Sequence, residues 1–453
     1  MPKNMTILYY STDRALSLGD PVPFGDALFT GLAPDGGLFM PDQIPALSGE
    51  ELLSLVGKPY AEVACSLLHK YLSTEIDGDD LERIVIDAYD FEIPIEQLDE
   101  RTYLMRLDRG PTASFKDFGA RFMARMMAHL RPGDREITVL VATSGDTGSA
   151  VGEAYRGLDG FRVFILYPRE EVSTIQKQQL DSIGKNVQAV AVDGKFDDCQ
   201  QLVKAAFTDS DLTNLNLTSA NSINIGRLLP QIVYYVYAYI NTAEYPQPVV
   251  FSVPSGNFGN SLGCELARRM GLPVGRIIIA VNENDEFPRF LQTGVYEKVD
   301  PSRACLSNAM NVGNPSNLAR YFDLYGGILT KDGTVTRAPD ISGMLECFFS
   351  TSVSDDATVA LIKEVYAEHG VLVEPHGAVG LEALKRFRQQ GNSATAICLE
   401  TAHPGKFPSI LEEALDIEIA PPESFRKFAD RRSHADHLDN DYASFKDYLI
   451  GNS

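Results

Sequence analysis

The sequence predicts an α/β protein with mainly parallel sheets. From about residue 101, short runs rich in β-branched residues alternate with amphipathic helical segments, which is typical of strands joined by crossover helices. Several runs are continuously apolar, as strands covered by helices on both faces must be. The candidate strands are residues 103–107, 137–143, 161–167, 187–192, 249–253, 277–281 and 395–400.

The first hundred residues differ from the rest because their pattern is helical. Between residues 48 and 88, apolar side chains recur every three or four positions, as they do on the buried face of a helix. Ser48, followed three positions later by Glu51, is a helix-start signature. We therefore predict an N-terminal helical unit over residues 1–100.

Composition and charge narrow the possible partners. The chain has 453 residues, enough for two or three domains, and 44% of them are hydrophobic, as in ordinary globular proteins. Its 62 acidic and 40 basic residues give a net charge of −22, which repels nucleic-acid phosphates and anionic membrane surfaces. We therefore expect neither nucleic acid nor a membrane as partner.

The cysteines and the N-terminus predict a cytoplasmic protein. The six cysteines are scattered, with no CxxC pair and no histidine at ligand spacing, so we expect reduced thiols and no metal site. The N-terminal segment has too short an apolar run for a signal peptide. The longest apolar stretch, residues 232–240, is about half the length of a membrane span.

Lys116 is the first candidate for chemistry. It follows a turn at Gly110 and Pro111 and lies near the start of a predicted helix that runs to about Leu130. The apolar stripe of that helix would bury the lysine, lower the pKa of its ammonium and make the neutral amine available as a nucleophile or base. Alternatively, Lys116 lies on the helix surface, where its stem covers apolar neighbours.

Two strand–turn–helix segments resemble each other. The first glycine turn, residues 144–148, follows strand 137–143, and the second, residues 254–260, follows strand 249–253. Amide groups at such turns bind anions at a helix N-terminus, although ordinary tight connections have the same composition. Neither turn has Walker or GxGxxG spacing. Further hydrogen-bond donors are the hydroxyls of Thr143, Ser144, Thr147 and Ser255.

Three further residues adjoin glycine or strand ends near the C-terminus. Thr401 directly follows an apolar strand, where α/β proteins place ligands. His376 and His403 each lie beside proline and glycine, which is also typical of loop histidines bonded to backbone. The pattern leaves a ligand site and plain loops both open.

Taken together, these stretches resemble the threonine synthases, pyridoxal phosphate (PLP) enzymes of the fold type II group that also contains tryptophan synthase β. The resemblance is an ordered series of motifs that spans most of the chain. Its members are residues 35–41 (DGGLFMP), 110–119 (GPTASFKDFG), 142–148 (ATSGDTG), 221–224 (NSIN) with Arg227, 255–259 (SGNFG), 311–317 (NVGNPSN), 374–380 (EPHGAVG) and 401–404 (TAHP).

The resemblance implies PLP fold type II, with two α/β domains and the active site between them. It also implies that Lys116 forms the Schiff base with PLP and that the Thr401 hydroxyl meets the pyridine nitrogen. The implied cofactor-binding residues of the second glycine turn are Ser255, Gly256, Asn257, Phe258, Gly259 and Asn260. The implied substrate-binding residues are Thr143, Ser144, Asp146 and Thr147, with Asn224 and Arg227.

With the resemblance, we predict three units. Residues 1–100 form the helical unit, residues 101–225 a smaller α/β domain with the lysine and the substrate-carboxylate loop, and residues 226–453 a larger α/β domain with the cofactor-phosphate loop. Whether the protein is a monomer or a dimer is left open.

Three positions depart from the family pattern. Arg109 stands where the family usually has histidine, Asn260 where it often has aspartate, and Glu374 where aspartate is usual. The first change could alter the pocket for the substrate phosphate. For that phosphate we consider Arg227, Arg121 and Arg109 as candidates, and each could instead be a surface ion-pair partner.

The implied activity is that of a PLP-dependent lyase. It would convert O-phospho-L-homoserine and water to L-threonine and phosphate, the last step of threonine biosynthesis, by γ-elimination and β-addition. One alternative is another fold type II lyase or synthase that acts on a related phospho- or hydroxy-amino acid. The other is a non-catalytic relative that binds PLP or an anion.

Overall fold

Two sheets, each with helices around it, make up most of the fold. The computed structural model describes residues 6–14, 19–429 and 431–452. Its strands are β1 Tyr9–Ser11, β2 Phe39–Pro41, β3 Ile95–Asp99, β4 Thr102–Arg106, β5 Ile137–Ala142, β6 Phe161–Pro168, β7 Val187–Asp193, β8 Leu217–Ser219, β9 Val249–Pro254, β10 Val274–Val281, β11 Ile328–Leu329, β12 Val335–Arg337, β13 Phe348–Ser352, β14 Ala396–Glu400 and β15 Asp436–Asp439.

Helices surround the sheets, and none of those in the described residues is long and apolar enough to cross a membrane. They are α1 Phe24–Thr30, α2 Gly49–Ser54, α3 Tyr60–Leu72, α4 Gly78–Ala88, α5 Lys116–Leu130, α6 Asp146–Tyr155, α7 Thr174–Asp181, α8 Phe196–Thr208, α9 Ile225–Leu228, α10 Gln231–Thr242, α11 Gly259–Met270, α12 Glu286–Thr293, α13 Leu318–Leu324, α14 Ile341–Cys347, α15 Asp355–His369, α16 Pro375–Gln389, α17 Pro408–Leu415, α18 Arg426–Ala429 and α19 Tyr442–Gly451.

The larger sheet has the strand order β13-β10-β9-β14-β4-β3 and is parallel except for its edge strand β3. The smaller sheet has the order β15-β7-β6-β5-β8, and all of its pairs are parallel. Every candidate strand of the sequence is present within a few residues. The two mainly parallel sheets confirm the predicted α/β class.

Two strands do not belong to the sheet of the domain in which the sequence analysis places them. β4, placed by sequence in the smaller domain, pairs with β14 of the larger sheet, and β15, placed in the larger domain, pairs with β7 of the smaller one. The sequence division at residue 101 therefore does not follow sheet membership. A short strand carries no local signal for its partner, which packing with distant parts of the chain decides.

The N-terminal helices α2, α3 and α4 lie within the predicted helical region, and Ser48 and Glu51 form the expected capping box. α4 packs on α5 and α3 on α10. Phe118 of α5 joins the rings of Tyr60 and Tyr89, with centroids 5.5 and 5.9 Å away. This contact fixes the helix that begins at Lys116 against the N-terminal unit.

Candidate active site

A cleft of about 340 Å³ lies where strand ends of the two sheets meet. It is lined by Thr143, which follows β5, by Gly256 after β9 and by Thr401 after β14. Lys116, the first residue of α5, lines the same cleft. Because carboxyl ends of parallel strands are the usual ligand sites of α/β proteins, the cleft is the candidate active site.

The segment before Lys116 is held by the chain that follows β14. The Phe115 amide donates to the Thr401 carbonyl at 2.9 Å, and the His403 amide donates to the Ala113 carbonyl at 3.1 Å. Ala113 has a φ of 56°, an unusual value for a residue with a side chain. Such strain persists only where the surroundings fix the backbone, so the start of α5 is rigidly placed.

The Lys116 amine is in an environment that disfavours its charged form. Its side chain is 14% exposed, and its Nζ is 3.8 Å from Asp146 Oδ2. Burial lowers the pKa of the Lys116 ammonium below its usual value. Asp146 opposes this shift, whereas Lys406 and Arg227 add to it. The result is an amine whose neutral form is more accessible than that of a surface lysine.

The first glycine turn joins β5 to α6 and presents free amides to the cleft. The Thr143 hydroxyl oxygen accepts hydrogen bonds from the amides of Gly145 and Gly148, both at 2.9 Å, and so shapes the turn. Within the described residues, the amides of Ser144, Asp146 and Thr147 donate to no protein group. Unpaired amides at a helix N-terminus are suited to binding an anion.

Asp146 is buried at this turn, and one of its carboxylate oxygens is already bound within the protein. Its Oδ1 lies 2.6 Å from Lys406 Nζ and accepts a hydrogen bond from Gln176 Nε2 at 3.1 Å. Burial alone would raise the pKa of the Asp146 carboxyl, but the Lys406 and Lys116 ammonium groups outweigh it and hold the pKa well below its usual range. Asp146 is therefore ionised and bound on one side.

The second glycine turn joins β9 to α11 and also leaves amides unpaired. The amides of Gly256, Asn257, Phe258, Gly259 and Asn260 donate to no group in the described part of the chain. Gly256 packs so tightly that a Cβ there would lie 2.6 Å from the Ala309 carbonyl oxygen. The cradle of amides can therefore form only with glycine at this position.

Side chains hold the second turn in place. The Asn257 amide group donates to Ser222 Oγ at 2.6 Å, and its carbonyl oxygen accepts from the Ser316 amide at 2.7 Å. Phe258 has a φ of 62°, and its ring packs 5.1 Å from that of Phe287. Asn260 Nδ2 donates to the Pro254 carbonyl at 2.8 Å. These contacts fix the backbone independently of any ligand.

Thr401 lies beside a buried carboxylate. Its hydroxyl donates to Glu374 Oε1 at 3.3 Å, and Glu374 also caps α16 and contacts His376 Nδ1. His376 Nε2 accepts the Ala309 amide at 3.1 Å, so the imidazole ties α16 to the loop that covers Gly256. The two histidines therefore differ. His376 lines the cleft, whereas His403 is a loop histidine that accepts the Gly405 amide in a local cap.

Arg227 lines the cleft, and no carboxylate in the described residues forms an ion pair with it. Its Nη1 donates to the Ala220 carbonyl at 2.7 Å, and its buried Nε has no partner among the described residues. Burial lowers the pKa of the guanidinium to about 10, which still leaves it charged at neutral pH. Gly119 allows this approach, since a Cβ there would be 2.9 Å from the Arg227 Nε. A buried guanidinium of this kind is suited to an anionic ligand.

Comparison with known proteins identifies the family. The chain matches the family described as pyridoxal-phosphate dependent enzyme over residues 90–399, and those described as threonine synthase N terminus and threonine synthase, C-terminal, over residues 8–89 and 377–449. It is 41% identical to threonine synthase of Haemophilus influenzae over 442 residues, covering 95% of this chain and 97% of that one. The chain belongs to the threonine synthase family.

Solved threonine synthase structures agree with this assignment. The PLP-bound threonine synthase from Brucella melitensis superimposes with a TM-score of 0.90 at 34% identity, covering 99% of both chains. The threonine synthase from Escherichia coli gives 0.88 at 36% identity and covers 98% of this chain and 100% of its own. The predicted PLP fold type II architecture is thereby confirmed, and the chain is a PLP-dependent enzyme.

The residues of the cleft fit PLP. The unpaired amides at residues 256–260 match a phosphate group, because they need an acceptor that the described protein does not provide. The Lys116 amine suits an aldehyde, and Thr401 lines the same cleft. Both glycine turns, Lys116 and Thr401 are thus brought together in one cleft.

Four predicted candidates do not line the cleft. The Ser255 amide donates to the Ala280 carbonyl at 2.8 Å and its hydroxyl to the Val253 carbonyl at 3.1 Å, so both donors are used within the protein. Asn224 bonds the carbonyls of Leu28 and Ser219 and caps α9. Each therefore supports a neighbouring element in this structure, and direct ligand contact by either residue stays a prediction.

The other two candidates that do not line the cleft are Arg121 and Arg109, both considered for the substrate phosphate. Arg121 is bound to Asp90 at 2.7 Å and to backbone carbonyls at the end of α4. Arg109 is 40% exposed and lies near Asp108 and Glu96. Arg227 alone of the three lines the cleft, and its Nε and carbonyl oxygen lie close to Gly119 of α5.

Sequence reasoning missed the supports of the site. Lys406 is fully buried beside Asp146, and Arg320, also fully buried, donates to Asn317 Oδ1 at 2.6 Å and to the Ile223 carbonyl at 2.6 Å. Asn317 Nδ2 in turn donates to the Asn257 carbonyl at 2.9 Å. These residues lie in or next to quoted motifs, but a motif does not show which distant group each side chain meets.

Proposed function

We propose that this protein is a threonine synthase that converts O-phospho-L-homoserine and water to L-threonine and phosphate, the last step of threonine biosynthesis. The observation that carries the proposal is the position of Lys116, whose amine has a lowered pKa and lies in one cleft with two sets of unpaired amides and the uncompensated Arg227. One set suits the cofactor, and the other set with Arg227 suits a substrate that carries both a carboxylate and a phosphate.

The cofactor would be held by the second glycine turn and Thr401. The amides of residues 256–260 would bind the PLP phosphate, while Asn260 supports the turn through the Pro254 carbonyl. The Thr401 hydroxyl would meet the pyridine nitrogen, and a neutral hydroxyl does not force that nitrogen to be protonated. When bound, PLP supplies an electron sink for carbanion chemistry.

The first glycine turn and Arg227 would orient the substrate. The amides of Ser144, Asp146 and Thr147, with the Thr143 hydroxyl, are arranged for the α-carboxylate. Arg227 would bind the phosphate, because it lines the cleft, no carboxylate of the described residues is paired with it, and its guanidinium presents paired donors. The two anionic groups would then be fixed on either side of Lys116.

Lys116 would move the protons. Its neutral amine takes the proton from Cα of the substrate, and proton transfer at Cβ permits the Cγ–O bond to phosphate to break. Cγ then gains a proton to become a methyl group, water bonds Cβ through its oxygen and gives up a proton, and Cα regains a proton. Lys116, or the released phosphate held by Arg227, would act as acid and base in these later transfers.

The location and partners are extensions of this proposal. All six cysteines are free thiols in the structure, which supports a cytoplasmic location. The net charge of −22 argues against nucleic acid as partner.

The test is incubation of purified, PLP-loaded protein with O-phospho-L-homoserine while threonine and inorganic phosphate are measured together. We expect the two products in equal amounts. O-phospho-L-serine and L-threonine serve as comparison substrates. Faster turnover of either would favour the alternative, a fold type II lyase or synthase that acts on a related phospho- or hydroxy-amino acid. Protein that binds PLP but turns over none of the three would support a non-catalytic relative and contradict the proposal.

A further inference from the structure

Lys406 is a fully buried lysine that the proposed reaction does not use. It ends the short turn Pro404–Lys406 that follows Thr401. Its Nζ lies 2.6 Å from Asp146 Oδ1 and donates to the Thr112 carbonyl at 3.1 Å. A lysine is almost never fully buried unless it is paired, so this ion pair with Asp146 accounts for its position.

The same carboxylate lies beside two ammonium groups at unequal distances. Asp146 Oδ1 is bound by Lys406 and Gln176, whereas Asp146 Oδ2 is 3.8 Å from Lys116 Nζ, beyond a hydrogen bond. A buried carboxylate with no other partner would attract the Lys116 ammonium and stabilise its proton. Lys406 therefore competes with Lys116 for Asp146.

We propose that Lys406 is a positioning residue, which holds Asp146 in an ion pair and thereby keeps the Lys116 amine free to take up PLP and to act as a base. This inference rests on the proposed role of Lys116. Lys406 touches neither the cleft nor the reacting atoms, and it acts through Asp146.

The charges around Lys116 show the direction of the effect. Asp146 and Glu374 favour its ammonium, whereas Lys406 and Arg227 disfavour it. Without Lys406, the charges around Lys116 would be the cation Arg227 and the anions Asp146 and Glu374. Their combined electrostatic field would favour the protonated form of Lys116.

The other groups that face Lys406 would respond less. In the part of the chain that the structure describes, the titratable groups Asp117 and His403 also interact with it. Burial raises the pKa of the Asp117 carboxyl, whose two oxygens accept the Thr112 amide and hydroxyl. Burial lowers the pKa of His403 to about 4, so the imidazole is neutral at neutral pH. Neither group replaces the charge of Lys406.

A second consequence concerns the substrate. With Lys406 present, the Asp146 charge is compensated, so the first glycine turn can accept a carboxylate. Without it, an uncompensated carboxylate at that turn would repel the α-carboxylate of the substrate.

The test measures the rate at which full-length protein stripped of cofactor takes up PLP, from about pH 6 to about pH 10, by visible absorbance. Borohydride trapping then identifies the peptide that carries Lys116. Only the neutral amine attacks the aldehyde, so the midpoint of the rate profile reports the proton on Lys116. The PLP phosphate also titrates in this range, but its effect is the same for all variants and cancels when the uptake rate of a variant is divided by that of the parent protein.

In Lys406→Met we expect the midpoint to move to higher pH and uptake near neutral pH to slow about tenfold. Lys406→Arg keeps the ion pair and should stay near the parent protein. The double variant Lys406→Met with Asp146→Asn removes both charges and should return towards the parent profile. A purely structural role for Lys406 predicts no such rescue.

An unchanged midpoint in a folded Lys406→Met protein, checked by circular dichroism, would overturn the inference, as would a double variant no better than the single one. If Lys406→Met does not fold, Lys406→Gln removes the charge but keeps a donor for Asp146, and the same shift is required of it. Failure of the parent protein to trap PLP on Lys116 would instead contradict the proposed function.

Discussion

The two glycine turns have the same local construction but are supported differently. Each follows a parallel strand, opens a helix and leaves amides unpaired towards the cleft. The first turn contains the buried charge of Asp146, which is linked to Lys406 and lies 3.8 Å from Lys116. The second contains no charged residue and is held by neutral hydrogen bonds and packing.

Rigidity distinguishes the second turn. Gly256 packs against Ala309, the Asn257 side chain bonds on both sides, and Phe258 is fixed in a strained backbone conformation by its buried ring. A turn built in this way is complete without its ligand, which suits a cofactor phosphate that stays bound. Preorganised donors of this kind reduce the cost of binding.

Electrostatic coupling distinguishes the first turn. Its carboxylate is shared unequally between the two lysines, so charge arriving at the turn is felt at Lys116. Such coupling suits a substrate carboxylate, which enters and leaves during each turnover. The comparison shows that one local motif can hold a permanent ligand or a transient one, depending on what packs behind it.

The largest effect is expected from removing the amine that both turns face. Lys116→Ala should lower phosphate release from O-phospho-L-homoserine by about a thousandfold or more and abolish the visible absorbance of bound PLP, because no general base and no covalent partner remain. Lys363→Ala, at an exposed position on α15, is the control. If Lys116→Ala kept both phosphate release and the PLP absorbance, Lys116 would not be the reactive amine that the two turns serve.

Arg227→Gln tests the part of the cleft that would hold the substrate phosphate. We expect KM for O-phospho-L-homoserine to rise by about tenfold to a hundredfold with little change in PLP affinity, because charge-assisted hydrogen bonds are lost. Arg121→Gln, a change of the same kind outside the cleft, should leave KM unchanged. If KM rose equally in both variants, the cause would be the loss of a positive charge anywhere on the protein and not the loss of a phosphate contact at Arg227.

Gly256→Ala tests the rigidity of the second turn. The added Cβ would lie 2.6 Å from the Ala309 carbonyl oxygen, so the turn must shift, and we expect PLP affinity to fall about tenfold in an equilibrium titration. Gly327→Ala imposes a similar clash, 2.7 Å from the Pro339 nitrogen and away from the cleft. That control should lose stability without losing PLP affinity, and a matching loss of affinity would contradict the role of the turn.

Thr143→Val is expected to have the smallest effect and sharpens the comparison most. It keeps the shape of the side chain but removes the oxygen that accepts the amides of Gly145 and Gly148. KM should rise about fivefold, since roughly 1 kcal/mol of hydrogen bonding is lost, while PLP affinity stays constant. Asn257→Ala should show the reverse pattern, and identical patterns in the two variants would mean that the turns are not specialised.

Much of the local structure follows from the sequence. The period of the apolar residues predicts α5 to its observed end at Leu130, and the capping box at Ser48 is present as its residues indicate. The parallel strands and both glycine turns lie where their composition places them. These features depend on neighbours within a few positions, which is why a pattern along the chain is sufficient to predict them.

The sequence alone did not decide which side chains reach the cleft. Ser255 and Asn224 have suitable chemistry, but their donors are used by backbone carbonyls, while Lys406 meets Asp146 from a distant part of the chain. Likewise, β4 and β15 exchange sheets relative to their order. Residue type determined the reactive amine and the amide turns, whereas tertiary packing decided the charges around them, because burial and the pairing of polar groups depend on contacts between residues far apart in sequence.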